Sequence, residues 1–198
     1  VSNDVNAAAL GELWKGGAQG RKSAFLVTLG TGIGGGLVLN SRIVNGINGG
    51  AGEIGHFCVD PSELEQCSCG GYGCLEQYAS ARGLLRCARK VSPDASKNMS
   101  AKTVCDMARR GDPIAVNLLD QLGRKLGWAL TAVAGSIDPE VFVIGGGLSH
   151  AGDVLLSKIE YYYRKYAFHA FRDTEFVLAE LGNDAGIYGC VRMLLQEE

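Results

Sequence analysis

The chain has 198 residues, 46% of them apolar and 20% charged, with a formal net charge of −2 at pH 7. This is the composition of an ordinary globular domain with enough apolar mass for one good core; with no basic stripe it offers no electrostatic support for nucleic-acid binding, and no apolar run approaches the roughly 18 residues of a membrane span. Seven cysteines, an odd number, with no signal-peptide pattern fit a reducing cytoplasmic setting better than a disulfide framework. The sequence begins at Val1, and Asn3-Asp4 reads as the middle of something, so a piece of a longer protein is expected.

In chain order, Asn3 or Asp4 caps a helix through about Trp14, ended by Gly16-Gly17. Residues 24–29 form a buried strand, and residues 30–36 form a glycine-dense loop. Residues 37–39 and 42–44 flank Asn40-Ser41 as a tight hairpin. Residues 45–55 read as loop, followed by a cysteine loop, a helix over about 75–91 broken by Ser92-Pro93, and a short helix over about 101–110 capped by Ser100. Pro113 opens a long helix to about Gly135, with Ile114, Leu118, Leu122, Leu126 and Leu130 marking one buried face. A wholly apolar strand at 141–144 leads through Gly145-Gly146-Gly147 to a helix over about 152–166, a strand at 175–179 and a terminal helix from Asp184 or Gly186 to about Leu195. Three strands in a meander followed by alternating helices and strands make an α/β layer with a mixed sheet. The order matches one half of the ribonuclease-H-like, actin-type ATPase architecture, with residues 47–111 inserted.

The most chemically loaded stretch is Glu53-Ile54-Gly55-His56, then Cys67-Ser68-Cys69-Gly70-Gly71-Tyr72-Gly73-Cys74-Leu75-Glu76. Three sulfurs and one imidazole nitrogen make a closed tetrahedral shell of the kind that holds structural zinc. Redox or iron–sulfur chemistry and a metal-free loop remain alternatives, because the Cys-x-Cys spacing departs from the common Cys-x2-Cys pair. Cys87 and Cys105 fall in helices, where a thiol is usually a small buried hydrophobe. Glu53 and Glu76 flank the cluster as acceptors that could each chelate neighbouring hydroxyls, against a plain reading as solvated surface.

Leu29-Gly30-Thr31-Gly32-Ile33-Gly34-Gly35-Gly36 exposes successive backbone N–H groups that could cradle phosphate, or it is a structural glycine turn. It also satisfies G-x-G-x-x-G, but a dinucleotide fingerprint must open a helix and here a hairpin follows. Gly145 to Gly147 sit at the carboxyl end of a buried strand, the edge at which ligands of open α/β sheets bind; the simpler reading is a strand-to-helix turn. Asp4, at a helix start, is either a cap or a general base for a substrate hydroxyl. His150 and His169 read as surface residues, and Tyr161-Tyr162-Tyr163 as core plus surface on a helix.

Together, Asn3-Asp4-x-Asn6-Ala7-Ala8, Leu29 to Gly36, Gly52-Glu53-Ile54-Gly55-His56, Cys67-x-Cys69-Gly70-x-x-Gly73-Cys74-Leu75-Glu76 and Ile144-Gly145-Gly146-Gly147 resemble the repressor–ORF–kinase (ROK) family of sugar kinases, most closely its bacterial ATP-dependent glucokinases. The resemblance spans nearly the whole chain. It implies transfer of the ATP γ-phosphoryl group to the 6-hydroxyl of glucose, with magnesium accompanying ATP. Asp4 would be the general base. Asn3, Glu53, His56 and Glu76 would bind sugar hydroxyls. His56, Cys67, Cys69 and Cys74 would hold structural zinc. Thr31 and Gly32 would meet the phosphates, and Gly145, Gly146 and Gly147 the adenosine end. A homodimer is implied as well. Alternatives are the sugar-sensing lobe of a repressor of the same family, or a kinase for fructose, mannose or an acetylated amino sugar. The family's earlier Asp-x-Gly-Gly-Thr phosphate loop is missing from the sequence. Residues 1–198 therefore read as a single carboxy-terminal lobe without its amino-terminal partner, folded but poorly active alone.

Overall fold

The structure, a computed structural model, describes residues 3–93 and 99–196. Its spine is a five-stranded mixed sheet in the order β3-β2-β1-β4-β5. Strands β1 (Ala24–Leu29), β2 (Ile33–Leu39) and β3 (Arg42–Ile43) form the expected antiparallel meander. Strands β4 (Val141–Gly145) and β5 (Glu175–Leu178) run parallel to β1. Asn40 and Ser41 turn the hairpin with φ of 50° and 62°, the left-handed pair that matches strand twist in two-residue hairpins.

Period-two alternation sends the strand side chains to two helical layers. Ala24, Leu26, Val38, Val141 and Val143 pack with Leu10 and Leu13 of α1 (Asp4–Lys15) and Met193 of α7 (Ala185–Gln196). Phe25, Val27, Phe142 and Ile144 face the larger core with α5 (Pro113–Ile137) and α6 (Asp153–Tyr166). Between β3 and α5 lie a 3-10 turn at Ile54–His56, α2 (Glu76–Ala79), α3 (Ala81–Val91) and α4 (Ala101–Arg109), whose apolar side chains join that core. Tyr163 is buried and Tyr161 exposed, so the tyrosine run divides between core and surface as expected.

Three expectations are corrected. The segment from Gly34 to Gly36 is not loop but the first half of β2. Glycine is used there because the first turn of α1 lies flat on the strand: a Cβ on Gly34 would come 2.7 Å from Val5 Cγ2, and one on Gly36 2.6 Å from Val5 O. The helix expected over 75–91 is broken at Ser80, whose backbone is extended (φ −87°, ψ 170°). Its Oγ accepts from Gly83 N (2.9 Å) and donates to Glu76 O (2.8 Å), capping α3 while closing α2. On α5, Leu118, Leu122, Leu126 and Leu130 are buried but Ile114 is 46% exposed. Four-residue steps overshoot a 3.6-residue turn by about 40° each, so a ladder of sixteen residues cannot stay on one face; Ala115 takes the inward place.

Candidate functional site

The amino end of α1, the carboxyl ends of β1 and β4 and the β5–α7 connection enclose a cleft of about 710 Å³. Asp4 lines it together with Gly145, Gly146 and Gly147, residues more than 140 positions apart in sequence. Asn3 is the helix cap, accepting from Val5 N at 3.1 Å, so the capping role expected of either residue falls to Asn3. Asp4 stands in the first turn, exposed, with Oδ1 accepting from Val5 N at 2.8 Å, where the helix dipole favours a negative charge.

The three glycines divide their work. Gly145 ends β4 beside Ala179. Gly146 makes the turn at φ 83°, and a Cβ there would lie 2.6 Å from Leu29 N, so both backbone conformation and space demand glycine. A Cβ on Gly147 would meet nothing within 4 Å, which leaves its backbone open to the cleft. His150, expected as a surface residue, is exposed but also lines the cleft. His169 is exposed against Phe168, with ring centroids 4.0 Å apart. Glu12, which the sequence did not single out, lines the cleft as a buried acid.

Thr31 and Gly32 do not line this cleft; they form the tip between β1 and β2. There they meet Glu76, whose Oε2 accepts from Ile33 N at 3.1 Å. A side chain on Gly32 would collide with that same oxygen. Arg82 donates to Thr31 O at 3.3 Å and stands 4.0 Å from Glu76 Oε1. The G-x-G-x-x-G match therefore opens a strand, and the dinucleotide reading fails. Glu53 immediately precedes the 3-10 turn at Ile54–His56, makes no side-chain capping bond to it, and is exposed, as is His56.

His56, Cys67, Cys69 and Cys74 converge: one donor atom from each lies within 4.8 Å of all the others. Cys67 Sγ is 3.9 Å from His56 Nδ1, and Cys69 Sγ is 3.6 Å from Cys74 Sγ. A tetrahedral shell with ligand bonds near 2.3 Å has edges of about 3.8 Å, so the donor set fits one metal ion of the zinc type. Cys67 and Cys74 are buried, Cys69 exposed. Burial opposes the Cys67 thiolate, but the Cys69 N–H and the Cys74 and Cys69 thiols outweigh it and hold this thiol down at about 7. Burial, together with the Cys69 and Cys67 thiols, pushes Cys74 up to about 12. A metal would settle this competition by taking all three as thiolates.

The loop carrying these ligands is fastened on two sides. Arg86 of α3 pairs with Glu63, donates to Glu65 at 2.6 Å and to Gln77 O at 3.2 Å. Lys125 of α5 holds Val59 O at 3.0 Å and Asp60 at 3.1 Å. The hydrogen bonds from Ser62 and Lys125 keep the Asp60 carboxyl well below the usual carboxylate range. Glu76 follows this pinned loop directly.

The ROK family profile matches residues 1–197. The chain is 44% identical to a glucokinase of Halalkalibacterium halodurans over all of this chain and 64% of that protein. It is 33% identical to the DNA-binding transcriptional dual regulator NagC of Escherichia coli K12 over 87% of this chain and 44% of the regulator. The crystal structure of a ROK family glucokinase from Streptomyces griseus in complex with glucose and AMPPNP superimposes with a TM-score of 0.87 at 36% identity, covering 99% of this chain and 68% of that one. The chain thus spans just under two thirds of the H. halodurans glucokinase. Its mixed α/β sheet is that of the ROK sugar kinases, of actin-like ATPase type. With the profile covering nearly every residue, the chain belongs to the ROK family.

Proposed function

We propose that the intact protein is an ATP-dependent sugar kinase acting on glucose, with this chain supplying the catalytic aspartate, the sugar-binding acids and one wall of the nucleotide site. The observation that carries the reading is the meeting of Asp4 with Gly145 to Gly147 in one cleft. In this account Asp4 accepts the proton of the sugar 6-hydroxyl as that oxygen bonds to the γ-phosphorus and ADP departs. Asn3, Glu53, His56 and Glu76 hold the other hydroxyls. Gly145 to Gly147 meet the adenosine, and Thr31 and Gly32 would reach the phosphates from the β1–β2 tip outside this cleft. Zinc on His56, Cys67, Cys69 and Cys74 supplies no chemistry of its own; it fixes the loop that leads into Glu76 and leaves the Nε2 atom of His56 for a hydroxyl. Magnesium enters with ATP.

Residues 1–198 form, on this reading, a carboxy-terminal lobe with residues 47–111 as a zinc-bearing insertion, and an amino-terminal lobe completes the site. Two observations support it. This chain covers 64% of the H. halodurans glucokinase, so about a third of that protein lies outside the match. The outer face of α7 presents Ile187, Val191 and Leu194 at 65%, 44% and 67% exposure, an apolar stripe that a second lobe would cover. Phosphoryl transfer needs both walls closed around aligned groups, so the 198-residue chain alone should turn over poorly. We further read the intact protein as a cytoplasmic homodimer.

A second reading, the sugar-sensing lobe of a repressor, draws on the likeness to NagC. One experiment separates the two. The intact protein is given ATP and magnesium with glucose, fructose, mannose or N-acetylglucosamine, and ADP is measured. Hexose-dependent ADP release, largest with glucose, is expected. Hexose binding without ADP release from any of them would overturn the kinase reading in favour of a sensor.

A further inference from the structure

Glu12 stands on α1 two turns beyond Asp4, and it is 1% exposed. Its carboxylate is satisfied by backbone alone. Oε2 accepts from Gly17 N at 2.9 Å and Glu180 N at 3.1 Å, and Oε1 accepts from Leu181 N at 2.9 Å. Burying a carboxylate is costly unless its lone pairs are met, and three converging N–H groups meet them. The surroundings are shaped around it: a side chain on Gly16 would overlap Glu12 Oε2, and one on Gly17 would overlap Leu178 O. The two amides it grips begin the β5–α7 connection, whose Glu180, Gly182 and Asn183 line the cleft together with Gly145 to Gly147. One side chain thus ties the helix carrying Asp4 to the β5–α7 connection that lines the same cleft. A strand-to-helix connection needs no buried acid from another helix to satisfy two amides, since water or a carbonyl serves.

We propose that Glu12 is a positioning residue for the nucleotide: by clamping the Glu180 and Leu181 amides it sets the distance between Asp4 and the wall against which the nucleoside of ATP rests. The inference rests on the nucleotide reading of this cleft. The clamp acts on nucleotide affinity and not on Glu53 and Glu76, which stand on other elements.

The test uses the intact protein carrying Glu12→Gln, which keeps the shape but turns an amide donor toward backbone donors. Hydrogen exchange at Glu180 and Leu181 should accelerate while Leu26 and Val143 in the sheet stay protected. KM for ATP should rise roughly tenfold, the worth of one good hydrogen bond, with KM for glucose nearly unchanged. Gly16→Ala, which crowds the carboxylate without removing it, should give a weaker version of the same ATP-selective change and covers the case in which Glu12→Gln does not fold. An unchanged KM for ATP in a folded variant, or equal losses for ATP and glucose, would overturn the proposal. Failure of both variants to fold would make Glu12 a stability residue and overturn it too. Absence of ATP binding by the unsubstituted protein would sink the nucleotide reading itself, and it is recognised before any substitution is made.

Discussion

Replacing Arg86 by Met removes a charge from beneath the cysteine loop while keeping most of the side-chain volume. Arg86 is 12% exposed at its side chain and its partner Glu63 9%, so the pair is shielded from solvent. The Glu63 carboxyl is lowered from 4.5 to about 2, first by the Arg86 hydrogen bond and then by the Glu65 N–H and Tyr78 hydroxyl, against the opposing effect of burial. The whole shift corresponds to about 3 kcal/mol at 1.36 kcal/mol per unit, shared among Arg86, the Glu65 N–H and Tyr78; stripping one partner from a buried pair costs about 3–5 kcal/mol, with Lys90 at 3.6 Å keeping the cost at the lower end. We expect Arg86→Met to destabilise by about 3 kcal/mol at neutral pH, a drop in Tm of roughly 6–12 °C for a domain of this size. The sign of the pH dependence follows from the lowered carboxyl. Its contribution is complete above the ordinary value of 4.5 and is lost as pH falls through about 2. Urea unfolding of the native and Arg86→Met proteins at neutral pH and at about pH 3 should therefore show a gap that narrows on acidification. A difference below about 0.5 kcal/mol at neutral pH, the range of an ordinary surface substitution, or a gap that widens with acid, would refute the idea that this pair fastens the loop.

Two further outcomes follow from the same geometry. Cys69→Ser should lower the zinc content of purified protein well below one per chain and make the loop from 57 to 76 sensitive to proteolysis; elemental analysis showing unchanged zinc would remove Cys69 from the ligand set. Gly189→Ala should be strongly destabilising, by about 2 kcal/mol or more, because a Cβ there would overlap Ala7 O where α7 crosses α1; a native-like melting curve would show that the two helices can separate at small cost.

Much of this fold was legible before any coordinates. The apolar runs at residues 24–29 and 141–144 became β1 and β4 nearly to the residue, and Asn40-Ser41 made its hairpin, because these signals are local. The glycines of β2 were misread as loop because nothing local reveals that α1 lies on that strand and leaves no room for side chains. Ser80 likewise breaks a helix that periodicity alone carries through; its cap with Gly83 was the available signal. The cluster of His56, Cys67, Cys69 and Cys74 was legible from spacing, and its four donor atoms do converge. The cleft was not, because only the sheet order brings Asp4 to Gly145–Gly147. Glu12 was missed because an acid in a helix usually faces water, and two of its three amide partners, Glu180 and Leu181, lie in a segment that sequence does not connect to it.

The central claim is that Asp4 is the base of a phosphoryl transfer carried out in the cleft it shares with Gly145 to Gly147. The direct measurement is the rate of hexose-dependent ADP formation by intact protein carrying Asp4→Asn, beside hexose affinity by calorimetry. Turnover should fall about 10²–10⁴-fold, the usual worth of a general base, while hexose still binds. Undiminished turnover would contradict the account.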